Sequence, residues 1–268
     1  VKQYKDIITL VKNARGCYIL DPIKGCSLAS KYKGGCYGNC YAQNIASRYG
    51  FDFTVPTKRD FIKDTKQIYL QGFCDVEHEA DIVRQIKNID MPFIRMGEMG
   101  DPSEDWTHTV DICSKVAMAG KPIVIITKHI NKIPDNLLDV ISGINVCINT
   151  SLSALDTDDE IEHRLVQYEK LKAYSKSILR LVSCDFNLRN KTGQKKDKRQ
   201  DALLALSPID TVFRPSLENK LVTSGIIKIK RVKFLRGDVL ASMHRPDIYM
   251  GICDKCPDMC GINMAVNA

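Results

Sequence analysis

The residues here with the most evident chemistry are the cysteines of GCSLASKYKGGCYGNCYA, residues 25–42, where Cys26, Cys36 and Cys40 stand among Gly25, Gly34, Gly35 and Gly38. Three thiolates gathered by a Gly-rich loop can hold a metal ion or an iron–sulfur cluster. Three ligands are one fewer than a closed structural site takes, which would leave a position open to a substrate or cofactor. The competing reading is buried thiols packed as small hydrophobes. A second group, GICDKCPDMCG, carries Cys253, Cys256 and Cys260 as C-x2-C-x3-C. That spacing suits zinc, with His244 a conceivable fourth ligand, or equally an iron–sulfur cluster. Its interleaved Asp and Lys fit unliganded core packing poorly.

Composition narrows the setting. The 268 residues, 44% hydrophobic and 26% charged, read as an ordinary globular chain, sized for one large α/β domain or two small ones. No apolar run approaches the roughly 18 residues that span a bilayer, and the opening VKQYKDIITL lacks a secretory pattern. We therefore expect a cytoplasmic protein with no membrane partner. Thiols stay reduced there, so clustering among the eleven cysteines points to metal or catalysis before disulfides. Cys113, Cys147 and Cys184 sit in apolar patterns and read as core. The net charge of +7 favours an anionic partner, nucleic acid among them, though many basic proteins bind none. The run KTGQKKDKR, residues 191–199, reads first as a solvated loop and helix start, and second as a phosphate-contacting patch.

The elements that must position these residues alternate regularly. CYILDPI (17–23) reads as a strand running into the cysteine loop, and 43–48 as a helix stopped by Gly50. Val76, Ala80, Val83 and Ile86 give a helical period over 76–89. Strands are expected at 92–96, 122–127, 145–149, 177–182 and 211–214, with helices at 107–119, 135–141, 159–174 and 197–206 between them. The acidic start of 159–174 suits a helix dipole. A helix over 61–70 and a strand over 226–232 are further candidates. Such alternation predicts about six βα units on a parallel sheet.

In parallel α/β sheets and barrels, ligands collect at the C-terminal ends of the strands. Those ends carry the cysteine loop, then Gly97, Glu98 and Asp101, then Lys128 and His129, then Asn149 and Ser151, with Arg180 inside the next strand. Polar residues converging on a cysteine loop form a candidate cofactor pocket.

Five features together resemble one family: the cysteine loop with Tyr41 beside its last cysteine, RMGE at 95–98, IVIITKH, INTSLSALD, and EHRLVQYEKLKAY followed by ILRLV. Over roughly residues 15–216 the chain resembles the radical S-adenosylmethionine superfamily. Its middle is similar to spore photoproduct lyase-like members, and its cysteine loop to divergent, phage-associated relatives. The family's usual spacing is C-x3-C-x2-C, whereas this chain has Gln43 where the third cysteine would stand. Cys26 would then be the third ligand, with Cys17 as its substitute.

The resemblance implies an α/β fold, a partial (β/α)6 TIM-like barrel over residues 1–216, with residues 217–268 a C-terminal cysteine-rich extension. It implies an enzyme whose Cys26, Cys36 and Cys40 hold a 4Fe–4S cluster that cleaves S-adenosylmethionine to a 5′-deoxyadenosyl radical. Tyr41, Gly97, Glu98, Asn149, Ser151 and Arg180 would bind that cofactor. Cys253, Cys256 and Cys260 would hold an auxiliary 4Fe–4S cluster, or zinc. Partners would be an electron donor such as a flavodoxin or ferredoxin, and a nucleic-acid base as substrate to modify or repair. Two alternatives stand beside this: a radical enzyme acting on a peptide or small metabolite, and a zinc-stabilised nucleic-acid-binding protein without catalysis.

Overall fold

Short apolar runs rich in β-branched residues form the strands, and they pair almost in the order in which the chain delivers them. The structure, a computed structural model, describes residues 6–31, 34–62, 75–206, 208–229, 240–241, 249–250 and 260–262. The strands are β1 (Val11–Lys12), β2 (Tyr18–Ile19), β3 (Ile23–Lys24), β4 (Thr57–Lys58), β5 (Ile94–Met96), β6 (Ile123–Thr127), β7 (Val146–Leu152), β8 (Lys176–Ser183), β9 (Asp185–Phe186), β10 (Ile209–Val212), β11 (Ile227–Lys228) and the antiparallel pair β12 (Leu240–Ala241) and β13 (Tyr249–Met250). The helices are α1 (Leu28–Lys31), α2 (Tyr41–Arg48), α3 (Asp75–Asn88), α4 (Trp106–Ala117), α5 (Leu138–Ser142), α6 (Asp158–Lys172), α7 (Lys191–Leu204) and α8 (Lys220–Thr223).

The main sheet runs β1-β2-β5-β6-β7-β8-β10, with β1 antiparallel at one edge and every other pairing parallel. Helices α4 to α7 fill the connections from β5 to β10, as βαβ units require. The sheet curls into an open half-barrel of seven strands, so the expected barrel is partial and not closed. The expected helix over 61–70 lies outside the described residues except at Phe61 and Ile62, which are not helical. The described part of 226–232 forms β11, paired antiparallel with β9 away from the main sheet. Among the described residues no helix is long and apolar enough to cross a membrane.

The convex face carries the core. Ile94, Met96, Ile123, Ile125 and Ile148 pack under helix residues such as Ile86, Val110, Val116, Ile141 and Leu171. Leu152, Leu179 and Leu181 pack with Phe186, Leu203 and Ile227. Each such side chain contributes roughly 1.5–3 kcal/mol on burial. All seven residues of β7 are buried, which marks a strand covered on both faces.

The concave face has a different chemistry. Residues paired across a parallel sheet share a face, so the register builds three inner rows. The first is Ile19, Arg95, Val124, Cys147 and Lys176. The second is Ile126, Asn149 and Ile178. The third, nearest the strand ends, is Ser151, Arg180 and Ile209.

Candidate functional site

Three aspartates organise the backbone where the strands end. Asp21, just past β2, accepts hydrogen bonds from the backbone N–H groups of Gly97 (2.7 Å), Glu98 (3.1 Å) and Met99 (2.8 Å). Burial raises its pKa, and those three donors work against the rise. Asp101 accepts from Ser103 N (2.9 Å) and Oγ (2.6 Å), Thr127 Oγ1 (2.6 Å) and Lys128 N (2.7 Å). Asp156 accepts from Ser153 N (2.7 Å) and Tyr37 Oη (2.7 Å), and pairs with Arg164. Burial works against the Asp156 carboxylate, but Lys128 and Arg164 outweigh it and hold the group below the usual carboxylate range. Of the three, the sequence marked only Asp101. A lone Asp immediately after a strand or before a helix-capping Thr was the available signal for the other two.

The expected ligand-binding residues fall into two sets. Gly97 is a geometric necessity: its φ is +94°, and a Cβ there would stand 2.2 Å from Ile126 O. Glu98 is engaged within the protein, accepting from Asn13 Nδ2 at 2.8 Å and pairing with Arg95 at 3.3 Å. Tyr41 donates its hydroxyl to Glu98 O at 2.8 Å. These three make a wall. Asn149, Ser151 and Arg180 lie together on the inner face, all buried, with Asn149 Oδ1 accepting from Arg180 Nη2 at 2.8 Å. Arg95 adds a second inner guanidinium, and its Nε is buried with no hydrogen-bond partner among the described residues. Arg214, whose pKa is lowered by burial and by the charge of Arg15, extends this positive character at the end of the β10 connection.

The cysteine loop differs from expectation. Cys26 and Cys40 pack against an apolar cluster of Ala29, Ala42, Ala46 and Phe53. Burial, first of all, pushes up the thiols of Cys26 and Cys36. Among the described residues no three His, Cys, Asp or Glu side chains group so as to hold a metal ion. This overturns the radical S-adenosylmethionine assignment, with its likeness to spore photoproduct lyase-like and phage-associated members. With it go the 4Fe–4S cluster on Cys26, Cys36 and Cys40, the S-adenosylmethionine cofactor and the radical enzyme activity, on a base, a peptide or a metabolite. The reason for an electron donor such as a flavodoxin or ferredoxin goes with the cluster. Cys17 is fully buried in an apolar cluster of the inner face and does not replace Cys26. Of the C-terminal group expected to hold an auxiliary cluster or zinc, the described residues include only Cys260, which joins no such grouping, and the zinc-stabilised alternative loses its N-terminal site on the same finding. Cys253, Cys256 and His244 lie outside the described residues; Cys260 packs against the inner face near Cys147.

The second reading of 191–199 gains a shape. These residues are helical from Lys191, so the helix starts six residues before the expected 197. Lys191, Thr192, Lys195, Lys196 and Arg199 line a groove of about 450 Å³. Burial, then the charges of Arg199 and Lys195, lower the pKa of Lys196, although Asp156 and Asp158 oppose this. Arg199 reaches back to Asp156 O at 2.9 Å, which ties the groove to the strand-end network. In comparisons with known proteins, no family model matches the chain, and neither a curated protein nor a solved structure does so.

Proposed function

We propose that this protein binds nucleic acid through its phosphates. The carrying observation is the cationic groove at the start of α7, lined by Lys191, Lys195, Lys196 and Arg199 beside the ends of the parallel strands. Phosphate contacts by Lys and Arg supply the sequence-independent part of nucleic-acid affinity. The net charge of +7 supports the same partner. Asn149, Ser151 and Arg180 would receive one phosphate of the chain at the strand ends, with Tyr41, Gly97 and Glu98 as the adjoining wall. In this reading residues 1–216 are the binding half-barrel, an incomplete (β/α)6 arrangement, and residues 217–268 an extension of it. Its place would be the cytoplasm.

Fluorescence anisotropy with a labelled oligonucleotide of random sequence tests this. Binding should weaken steeply with salt, and Lys195→Glu with Lys196→Glu should lower affinity at least about tenfold at low salt. Binding that ignores salt, or that the double reversal leaves intact, would show the groove is not the docking surface.

A further inference from the structure

One ion pair joins the cationic groove of α7 to the acidic first turn of α6. Arg199, which lines the groove, pairs through Nη2 with the carboxylate of Asp158. Among the described residues the other three cations of the groove, Lys191, Lys195 and Lys196, form no ion pair. The side chain best shaped to grip a phosphate, a guanidinium with its fork of donors, is thus the one that already holds an anion.

Arg199 has a second hold, and the two differ in kind. Its Nη1 donates to the backbone carbonyl of Asp156 at 2.9 Å. Asp156 is buried and its carboxylate is fixed by Ser153 N, Tyr37 Oη and Arg164, so its carbonyl is a rigid acceptor. The Asp158 side chain is 84% exposed, against 21% for Arg199. A carboxylate so placed can turn into water at little cost, because exposed ion pairs contribute little. Helix α6 does not depend on the pair either: the Thr157–Glu160 box caps it, and Asp159 and Glu160 remain in its first turn.

We propose that Asp158 is a built-in competitor for the groove: its carboxylate occupies Arg199 in the free protein, and an incoming phosphate displaces it into water while the Asp156 carbonyl keeps the arginine in place. This rests on the phosphate-binding reading above and adds the regulation of that same site. Selectivity follows from it. A lone monoanion exchanges one charge for one on Arg199 and gains little. A chain of phosphates gains, because its other charges meet Lys191, Lys195 and Lys196 at the same time.

The test compares two substitutions in the full chain. Asp158→Asn removes the charge and keeps the size. Asp159→Asn makes the same change one residue on, with no bond to Arg199, and sets the background of long-range attraction. Both positions are exposed, so folded proteins are compared. Fluorescence anisotropy with a random-sequence oligonucleotide should show affinity rising about three- to fivefold in Asp158→Asn and less than about twofold in Asp159→Asn. In an Arg199→Gln background that difference should vanish. Acetate should displace the oligonucleotide no more than its ionic strength dictates. Calorimetry with inorganic pyrophosphate should rank the variants in the same order. Equal effects of the two substitutions, or weaker binding in Asp158→Asn, overturn the proposal and leave the nucleic-acid reading standing. If the oligonucleotide fails to bind but pyrophosphate binds, and binds tighter in Asp158→Asn than in Asp159→Asn, the nucleic-acid reading falls and the competitor stands. A chain that binds neither overturns both.

Discussion

Helices α6 and α7 begin on the same side of the sheet, where β7 and β8 end, and their first turns are charged in opposite senses. α6 follows the rule for helix dipoles. Thr157 and Glu160 form a capping box, Asp158, Asp159 and Glu160 fill the first turn, and Lys170 and Lys172 stand in the last. α7 is capped by Asn190, which accepts from Thr192 N and Gly193 N, yet it has no acid in its first turn and no base in its last. Instead Lys191, Lys195, Lys196, Lys198 and Arg199 crowd its first nine residues. Charges set against the dipole cost about 0.3–1 kcal/mol each in the terminal turn. On the proposed function, the contrast separates a helix arranged for standing still from one arranged to meet an anion.

The comparison breaks most severely at the anchor of α6. Arg164 and Asp156 form an ion pair with both side chains almost wholly buried, 4% and 3% exposed. Arg164→Met leaves the carboxylate buried without its main partner, and should cost about 3–5 kcal/mol of unfolding free energy, measured by urea denaturation. The α7 side should respond in the opposite direction. Lys195→Glu with Lys196→Glu relieves the crowding of like charge along α7, so Tm should hold while oligonucleotide affinity falls about ten- to a hundredfold. The slope of log affinity against log salt should shrink by about two if both lysines meet phosphates. A fall in Tm together with unchanged binding would reverse the roles assigned to the two helices.

A smaller effect separates them by pH. His129 lies beneath α6, with Nε2 2.8 Å from Thr150 Oγ1 and its carbonyl oxygen 2.7 Å from His163 Nε2. Burial, with His163 and Arg164 nearby, lowers its pKa from 6.5 to about 3. The folded ring thus resists protonation that the unfolded chain accepts from pH 6.5 downward. Stability contributed by the neutral ring is complete above pH 6.5 and is lost as pH falls towards 3. Between pH 6.5 and 5 the loss should be about 2 kcal/mol, and His129→Gln should flatten this part of the profile. Least of all, Thr157→Ala removes the α6 cap and should cost about 1 kcal/mol, read as a small drop in Tm, with oligonucleotide binding untouched.

The strands were legible because buried parallel strands read as short apolar runs, and β5 to β8 fall within a few residues of where the sequence put them. The start of α7 was not. Its Gly and like charges argue locally for a loop, and helix formation there depends on the Asn190 cap. The polar cluster of Asn149, Ser151 and Arg180 could be found from strand ends alone. The thiols of Cys26, Cys36 and Cys40 stood out by spacing, but their surroundings did not: Phe53, which packs with Cys26 and Cys40, comes from beyond α2. Glu98 was placed correctly beyond β5, yet its engagement by Asn13, 85 positions earlier, is a tertiary fact that local sequence does not contain.

The seating of Cys260 against the inner face near Cys147 sets an order of assembly. Adjacent strands of the parallel sheet close as each βα unit arrives, whereas the bonds from Cys147 and Asn149 to Cys260 span 113 and 111 positions. Contacts of such long range form late, because closing a long loop must precede any gain from it. During synthesis, β2 to β10 emerge well before residues 260–262. Until these arrive, Cys147, Asn149 and Lys176 lack the carbonyl groups they donate to in the finished fold. The inner face is therefore the last part of the half-barrel to mature.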